Sequence, residues 1–263
     1  MHPYVFEYYA GKSDRFSDVI VLSETRELSW TEVQKMAPDI PRGWFELAHL
    51  CANDRMEFVG DFWLRSLPFI PAISEFMALF FASLEDVAPI MWQHKAGEPY
   101  QTDLVYSMAG RNCFFRGGAP LSEEKINFIK RQNNSMLPAD FCDFYKIHNG
   151  FAKNFDEGLF KAESIFEFTK AFQESIQADQ KSVQSGLRKI EGAALIPFYR
   201  DLSQESMQCF YLDWYPSGGV GNVALSARDY KISDLTDKTM LAENMAFVSF
   251  LDWLVFYMEE VEF

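Results

Sequence analysis

The sequence lacks an apolar run long enough to cross a membrane. Its most apolar stretch, LPFIPAISEFMALFF, is interrupted by Pro68, Pro71, Ser74 and Glu75, whereas a membrane-spanning helix needs about 20 consecutive apolar residues. The N-terminal segment, MHPYVFEYYAGKSDRF, does not place an apolar run after a basic one, which is the pattern of a signal peptide. We therefore expect a cytoplasmic protein that does not bind membranes.

Neither cysteine nor histidine is clustered. The four cysteines stand far apart, and no Cys-x-x-Cys or Cys/His group has the spacing of a zinc site. The four histidines are equally scattered. The sequence therefore predicts no bound metal and no other cofactor. We expect reduced, mostly buried thiols at Cys51, Cys113, Cys142 and Cys209.

Basic residues are also scarce. The chain holds 24 Lys and Arg against 38 Asp and Glu, which gives a formal net charge of −14. Residues 1–118 contribute 16 acids and 10 bases, and residues 119–263 contribute 22 and 14, so both halves are acidic. Such a surface repels the phosphates of nucleic acids, and we therefore exclude nucleic acid as a partner and expect a basic protein instead.

Short motifs that resemble catalytic or phosphate-binding sequences are incomplete. GKS at 11–13 lacks the first glycine of a phosphate-binding loop. SEEK at 122–125 lacks the companion motifs of Ser-x-x-Lys acyl-transfer enzymes. SGGVGN at 217–222 precedes a predicted strand, whereas a phosphate cradle needs a helix there. We therefore predict no catalytic residue, and a hairpin loop at 217–222.

Residues 1–118 are predicted to form a mixed, mainly helical region of unknown role. Residues 15–23 have the composition of an edge strand, and SWTE, which follows, fits a helix capping box. Residues 41–66 carry apolar side chains at helical spacing. RGGAP at 116–120 combines glycine and proline, which break regular structure. We predict a linker there and a second domain over 119–263.

The segment LPADFCDFYKIHNG, residues 137–150, is predicted to be one helix. Pro138 suits its first turn, and Gly150 suits the left-handed conformation that closes a helix. His148 and Asp143 are five residues apart and would point to different faces of such a helix, so they do not form a proton-transfer pair. We interpret His148 as a helix-end residue favoured by the helix dipole.

Extended segments at 193–201, 207–214 and 221–227 follow, and an apolar C-terminal helix completes an α+β pattern. Between 207 and 214 large apolar residues alternate with Tyr211 and Asp213, which predicts a strand with one exposed face. The loop YPSGGVG joins two of these strands, so residues 207–227 are expected to form a hairpin.

The order of these segments resembles the SUKH superfamily, named for fungal cell-wall-synthesis regulators of the Smi/Knr type. The resemblance covers about residues 121–263 and comprises a helix ending in Asn-Gly, a strand before the sheet, a hairpin with a Pro/Gly loop, and a closing helix. The positions that carry it are Leu137, Pro138, Asn149, Gly150, Pro197, Asp201, Asp213, Pro216, Gly218 and Gly221.

The resemblance implies a largely antiparallel sheet with flanking helices, preceded here by the helical N-terminal region. It also implies a non-enzymatic protein-binding module, because bacterial members of that family are mostly immunity proteins that neutralise toxins and fungal members are regulators. The acidity of the chain fits a toxin or other partner with a basic surface. The candidate partner-binding residues are Asp156, Glu157, Asp213 and Trp214.

Two alternatives remain open at this stage. The chain can be an intracellular scaffold or regulator without a toxin partner. It can also be an enzyme whose site lies in residues 1–118, and a concave pocket that holds titratable groups with shifted pKa values would favour that alternative. The sequence specifies neither the partner nor the oligomeric state.

Overall fold

The structure is a computed structural model that describes residues 2–10, 15–25, 27–132, 136–178, 182–201, 203–235 and 244–259. The chain divides into two compact units. The first unit comprises residues 1–121 and 146–155, and the second comprises 122–145 and 156–263. Both contain helices and mainly antiparallel strands, which confirms the α+β class. Within the described ranges, no helix combines the length and the apolar character that a membrane span requires.

The first unit packs helices against an antiparallel sheet. Its helices are α1 (Pro3–Ala10), α2 (Trp30–Met36), α3 (Arg42–Leu47), α4 (Ala52–Ser66) and α5 (Pro71–Ala82). Its strands are β1 (Asp18–Val21), β2 (Leu84–Gln93), β3 (Gln101–Met108), β4 (Phe114–Gly118) and β5 (Phe151–Lys153). The strands pair in chain order, and every pair is antiparallel.

Local sequence explains several of these boundaries. The Ser29 hydroxyl accepts a hydrogen bond from the Glu32 amide while the Glu32 carboxylate accepts one from the Ser29 amide, so the predicted capping box is confirmed at the start of α2. Strand β1 lies at the end of the sheet order, as predicted for residues 15–23. The helical stretch 41–66 is divided into α3 and α4. Cys51, which directly precedes α4, has an extended backbone conformation.

The linker prediction for residues 116–120 is wrong at its first three positions. Residues 116–118 form the end of β4, where Arg116 lies opposite Ala152 and Gly117 opposite Phe151. At these two positions a side chain would collide with neighbouring atoms, so only glycine fits. A β-carbon on Gly117 would lie 2.3 Å from the ring of His148, and one on Gly118 would lie 2.6 Å from the Asn149 carbonyl oxygen.

The second unit also contains helices and a sheet. Its strands do not pair in chain order, unlike those of the first unit. Its helices are α6 (Glu123–Gln132), α7 (Ala139–Phe144), α8 (Ala162–Ala178) and α9 (Phe250–Glu259). Its strands are β6 (Gly158–Leu159), β7 (Val183–Ser185), β8 (Arg188–Ile190), β9 (Leu195–Asp201), β10 (Ser206–Tyr211), β11 (Asn222–Ser226), β12 (Lys231–Ile232) and β13 (Ala246–Phe247). The order is β6-β9-β10-β11-β12-β7-β8 with β13 paired to β11, and only the pair of β12 and β7 is parallel among the described strand pairs.

An aromatic cluster forms one part of the core of the second unit, beside a mainly aliphatic cluster. Phe141 of α7 contacts Phe210 of β10 and Phe250 of α9, with ring centroids 4.9 Å apart in both pairs. Phe198 of β9 stacks on Phe210 at 4.2 Å, and Trp253 of α9 meets Phe198 edge to face at 5.0 Å. These contacts hold the predicted C-terminal helix against the sheet.

The hairpin prediction for residues 207–227 is confirmed. Phe210 lies opposite Asn222 in the antiparallel pair of β10 and β11, and a short 3-10 turn at Pro216–Gly218 lies in the connecting loop. The prediction of one exposed strand face is wrong, because β10 ends at Tyr211 and Phe210 and Tyr211 are both buried. Both faces of this strand are covered, and alternation therefore carries no information there.

The prediction of one helix over residues 137–150 is also wrong. Helix α7 ends at Phe144, and the chain then leaves the second unit, so that Lys146 is the first residue of a segment belonging to the first unit. Gly150 has the predicted left-handed conformation, with φ of +84°. It lies directly before β5, however, and not at a helix end. Tyr145 is the last residue of the second unit in this part of the chain.

Candidate functional site

The first unit contains an apolar pocket of about 220 Å³. Helices α3 and α4 form its sides, and residues of β3 and of the segment before β5 form its base. The residues lining it are Pro41, Gly43, Trp44, Leu47, Phe58, Val59, Phe62, Trp63, Leu104, Tyr106, Pro120, Ile147 and His148. None of these carries a formal charge when His148 is neutral, so the pocket suits an uncharged occupant.

A chain of hydrogen bonds joins three of the lining residues. The Trp63 indole Nε1–H donates to the Tyr106 hydroxyl oxygen at 3.0 Å, and the Tyr106 hydroxyl lies 2.5 Å from His148 Nε2. His148 Nδ1 lies 3.0 Å from the carbonyl oxygen of Gly118. Because a carbonyl only accepts, Nδ1 carries the proton and Nε2 accepts from Tyr106. This geometry assigns the neutral Nδ1–H tautomer to His148.

The segment 146–150 places His148 against the sheet. The ring lies directly on Gly117 of β4, where the lack of a side chain leaves room for it. It stacks on Phe151 with a centroid distance of 5.7 Å, and Trp63 meets it edge to face at the same distance. The prediction that His148 is a helix-end residue is therefore wrong, because it is a buried core residue of the first unit.

Burial controls the ionisation of both titratable groups at the base of the pocket. Removal from water lowers the pKa of His148 from 6.5 to about 4, although its bond to the Gly118 carbonyl acts in the opposite direction. Burial likewise raises the pKa of Tyr106 far above its usual value. Both groups are neutral at physiological pH, and the pocket base is uncharged.

Two phenylalanines of α4 that line the pocket are also exposed to solvent. Phe58 is 59% exposed and Phe62 is 41% exposed, and they stand one turn apart on the same helix face. Exposed phenyl rings at the edge of an apolar pocket are typical of contact surfaces, because their burial releases water from a large apolar area.

Carboxylates outnumber bases on the exposed parts of the two helices that form the sides. The exposed charged residues of α3 and α4 are Arg42, Glu46, Asp54, Glu57, Asp61 and Arg65. The two arginines pair with carboxylates on their own helices, Arg42 with Glu46 at 2.9 Å and Arg65 with Asp61 at 3.1 Å. The remaining base of α4, Arg55, is buried and pairs with Asp86 at 2.5 Å. The exposed charges of these two helices are therefore net negative.

The predicted partner-binding residues lie in the second unit and form two separate pairs. Gly158 lies opposite Arg200 near one end of β9, which places Asp156 and Glu157 at that end. Tyr211 lies opposite Leu195 at the other end, and Asp213 and Trp214 follow it. The seven residues of β9 correspond to about 20 Å between these ends.

The individual surroundings of these residues differ as well. Asp156 Oδ2 accepts hydrogen bonds from the hydroxyls of Tyr199 and Tyr257, both at 3.0 Å, and so connects β9 to α9. Glu157 and Asp213 are exposed. Trp214 lies beyond the end of β10 and is partly buried against a core cluster of the second unit.

The positions that carry the family resemblance are divided between the units. Asn149 and Gly150 belong to the first unit, and the others belong to the second: Leu137, Pro138, Pro197, Asp201, Asp213, Pro216, Gly218 and Gly221. Two of them have a clear local role. Asp201 accepts hydrogen bonds from the amides of Ser203 and Gln204 in the turn after β9, and Pro197 lies at the bulge of β9 opposite β10.

A buried carboxylate lies elsewhere in the first unit. Asp103 of β3 accepts hydrogen bonds on the same oxygen from Tyr9, at 2.6 Å, and from Trp92, at 2.9 Å. These bonds attach α1 to the sheet, so we interpret the cluster as structural. Three cysteines are buried and Cys51 is exposed, which confirms the expectation of mostly buried thiols. Within the described part of the chain, no three His, Cys, Asp or Glu residues are grouped as metal ligands.

Comparisons with known proteins add no assignment. No protein-family model matches the chain, and no curated protein matches it. The resemblance to the SUKH superfamily therefore remains a prediction from the sequence motifs.

Sequence reasoning missed the pocket, although one signal for it was present. Residues 41–66 contain more large aromatic side chains than one narrow buried stripe holds, namely Trp44, Phe45, Phe58, Phe62 and Trp63. Such an excess indicates that some rings lie outside the core. The role of His148 had no comparable local signal, because its partners are 30 and 42 residues away.

Proposed function

We propose that this chain is a non-enzymatic protein-binding module of the immunity or regulatory type, which controls a basic protein partner. The observation that carries the proposal is the apolar pocket beside the exposed rings of Phe58 and Phe62. Binding energy at protein interfaces is concentrated where an anchor side chain fills such a pocket. The pocket is smaller than the roughly 300–1,000 Å³ of sites for drug-sized molecules, which favours a single side chain.

Charge supports a basic partner. The net charge of −14 extends over both halves of the sequence, and the exposed charges of α3 and α4 include four carboxylates and two arginines. Opposite charges on two proteins accelerate their encounter and disfavour wrong partners. The resemblance of residues 121–263 to SUKH proteins supports the immunity or regulatory class, and it also fits a scaffold or regulator with no toxin partner.

A second candidate function is acid–base catalysis in the first unit, which the contact of Tyr106 with His148 at the pocket base favours. Efficient general acids and bases have pKa values near the working pH. Burial moves the pKa of His148 down and that of Tyr106 up, so both shifts lead away from neutrality. In addition, both side chains are hydrogen-bonded to other groups of the protein. We therefore prefer the binding function.

The test is affinity capture from the native host with the full chain and two variants. Gly43→Leu adds bulk at the wall of the pocket, at a helical position where a β-carbon meets no atom within 4 Å. Ala78→Leu places a leucine side chain at an exposed position of α5 outside the pocket. We expect one protein with a basic surface to be retained by the wild type and by Ala78→Leu, and to be lost from Gly43→Leu.

Two results would contradict the proposal. Equal retention by all three chains would remove the pocket from the binding surface. Turnover of a small molecule by the purified chain, abolished by His148→Gln while the fold persists, would favour the enzymatic alternative.

A further inference from the structure

We propose that the pocket of the first unit receives a single uncharged aromatic ring, the side chain of a Phe or Trp that basic residues flank in the partner. The inference rests on the proposed function, since it takes the occupant from a protein. It adds the chemistry of the anchor and the charge of its neighbours.

The size of the pocket limits the occupant to one ring system. An apolar cavity of about 150 Å³ holds a benzene molecule, and this pocket has about 220 Å³. A phenyl or indole group fits that volume, whereas a longer ligand has to extend past the α4 rings into solvent. One side chain of a protein satisfies both conditions, because its backbone stays outside.

The walls favour an aromatic ring over an aliphatic group. Trp44, Phe58, Phe62, Trp63 and Tyr106 all line the pocket. Aromatic pairs in offset or edge-to-face arrangements are more favourable than the buried area alone accounts for. Trp63 and Tyr106 already meet edge to face with centroids 5.8 Å apart, so the lining rings present both faces and edges.

The base of the pocket disfavours a charged occupant. Tyr106 and His148 contribute polar side-chain atoms there, and these atoms bond to each other, to Trp63 and to the Gly118 carbonyl. No lining residue carries a charge that could pair with an ammonium or a carboxylate group. A charged ring substituent would therefore lose its hydration without compensation.

The neighbours of the pocket determine the charge of the flanking residues. Asp54 precedes Phe58 by four residues and Asp61 follows it by three, so both carboxylates adjoin this ring on the helix surface. Asp61 is already paired with Arg65, so a lysine or arginine residue beside the anchor would meet Asp54, which is the complementarity that fixes position as well as encounter rate.

The test uses short capped peptides in place of the partner. The probes are Lys-Lys-Trp-Lys-Lys, its Leu and Ala analogues at the central position, and Glu-Glu-Trp-Glu-Glu. Each is titrated into the full chain while the methyl resonances of Val59, Leu104 and Ile147, which line the pocket, are followed by NMR. Methyl groups of Val223 and Leu225 in the second unit serve as the internal control.

We expect the Trp peptide to bind at least tenfold more tightly than the Ala peptide and at least threefold more tightly than the Leu peptide. Shifts should be confined to the methyl groups that line the pocket. Gly43→Leu should abolish these shifts and Ala78→Leu should preserve them. Asp54→Asn should reduce the preference for lysine over glutamate flanks and leave the preference for Trp over Ala unchanged.

Equal binding of the Trp and Ala peptides, or shifts that Gly43→Leu does not change, would overturn the inference. The titration contains no partner, so this failure leaves the capture result as it stands. A chain that binds the Trp peptide in its pocket and captures no protein would instead refute the proposed function, and with it the assignment of the ring to a protein side chain.

Discussion

The imidazole ring of His148 occupies the space that a side chain at position 117 would fill: a β-carbon on Gly117 would stand 2.3 Å from the His148 Cγ. This contact holds the segment 146–150 on β4 and places His148 at the base of the pocket. It also explains why two adjacent glycines are compatible with a strand at this position.

Gly117→Ala should destabilise the first unit by about 1–3 kcal/mol, because the ring or the strand has to move to admit the new methyl group. Gly43→Ala is the matched control. Its β-carbon meets nothing within 4 Å and lies in a helix, so we expect stabilisation of up to about 1 kcal/mol. Urea denaturation followed by circular dichroism measures both changes. Similar effects of the two substitutions would contradict the observed packing.

The buried imidazole should make stability depend on pH between about 4 and 6.5. The pKa of His148 is about 4 in the folded chain, against 6.5 for an exposed histidine. Between these values the unfolded chain binds a proton that the folded chain does not, so stability falls as the pH drops through this range. The full loss is on the order of 3 kcal/mol and is complete below about pH 4.

His148→Gln separates this loss from the titration of carboxylates. The variant should lose less stability than the wild type between pH 6.5 and 5, where most carboxylates remain ionised. Direct NMR titration of the His148 ring is the second measurement. A transition near 6.5 in the folded protein would show that the ring is accessible to water.

Tyr106→Phe should cost about 1–3 kcal/mol of unfolding free energy. It removes the hydroxyl that accepts from Trp63 Nε1 and donates to His148 Nε2, while the ring that fills the core remains. Tyr215→Phe removes a hydroxyl from an exposed side chain and should have little effect. Thermal unfolding of the two variants beside the wild type tests this, and equal melting temperatures for all three would count against the hydrogen-bond chain.

Gly221→Ala should destabilise the hairpin of the second unit. A β-carbon at this position would lie 2.4 Å from the indole ring of Trp214, whereas one on Gly219 would lie 3.7 Å from its nearest neighbour. We expect a loss of about 1–3 kcal/mol for Gly221→Ala and a much smaller change for Gly219→Ala. Hydrogen exchange of the β10 and β11 amides locates the effect. Unchanged protection in Gly221→Ala would contradict the packing of Trp214 on this loop.

The features that could be predicted from the sequence are those formed by residues close together in the chain. Ser29 and Glu32 form their capping box within four residues. The glycine-rich loop at 217–222 joins two strands, and Gly150 has the positive φ that its lack of a side chain permits. Each of these features depends on a few adjacent residues, so a single sequence is sufficient to predict it.

The features that the sequence did not reveal depend on distant contacts. The apolar stripe before Gly150 is typical of a helix, but packing of His148 on Gly117 directs residues 146–150 into the first unit. Gly117 and Gly118 are also typical of a linker, and only their partners 30 residues away distinguish close packing from flexibility. The pocket, whose lining residues extend from Pro41 to His148, could not be assembled without the fold.

The most direct test of the central claim is the stopped-flow kinetics of the captured partner with the wild type and with Gly43→Leu, from about 0.05 to 0.5 M salt. Salt screens the attraction between an acidic chain and a basic partner. Association should slow as salt rises for both chains. The complex with Gly43→Leu should dissociate at least tenfold faster, because the partner's aromatic side chain cannot enter the narrowed pocket. Association rates that do not depend on salt, together with equal dissociation rates for the two chains, would contradict the account.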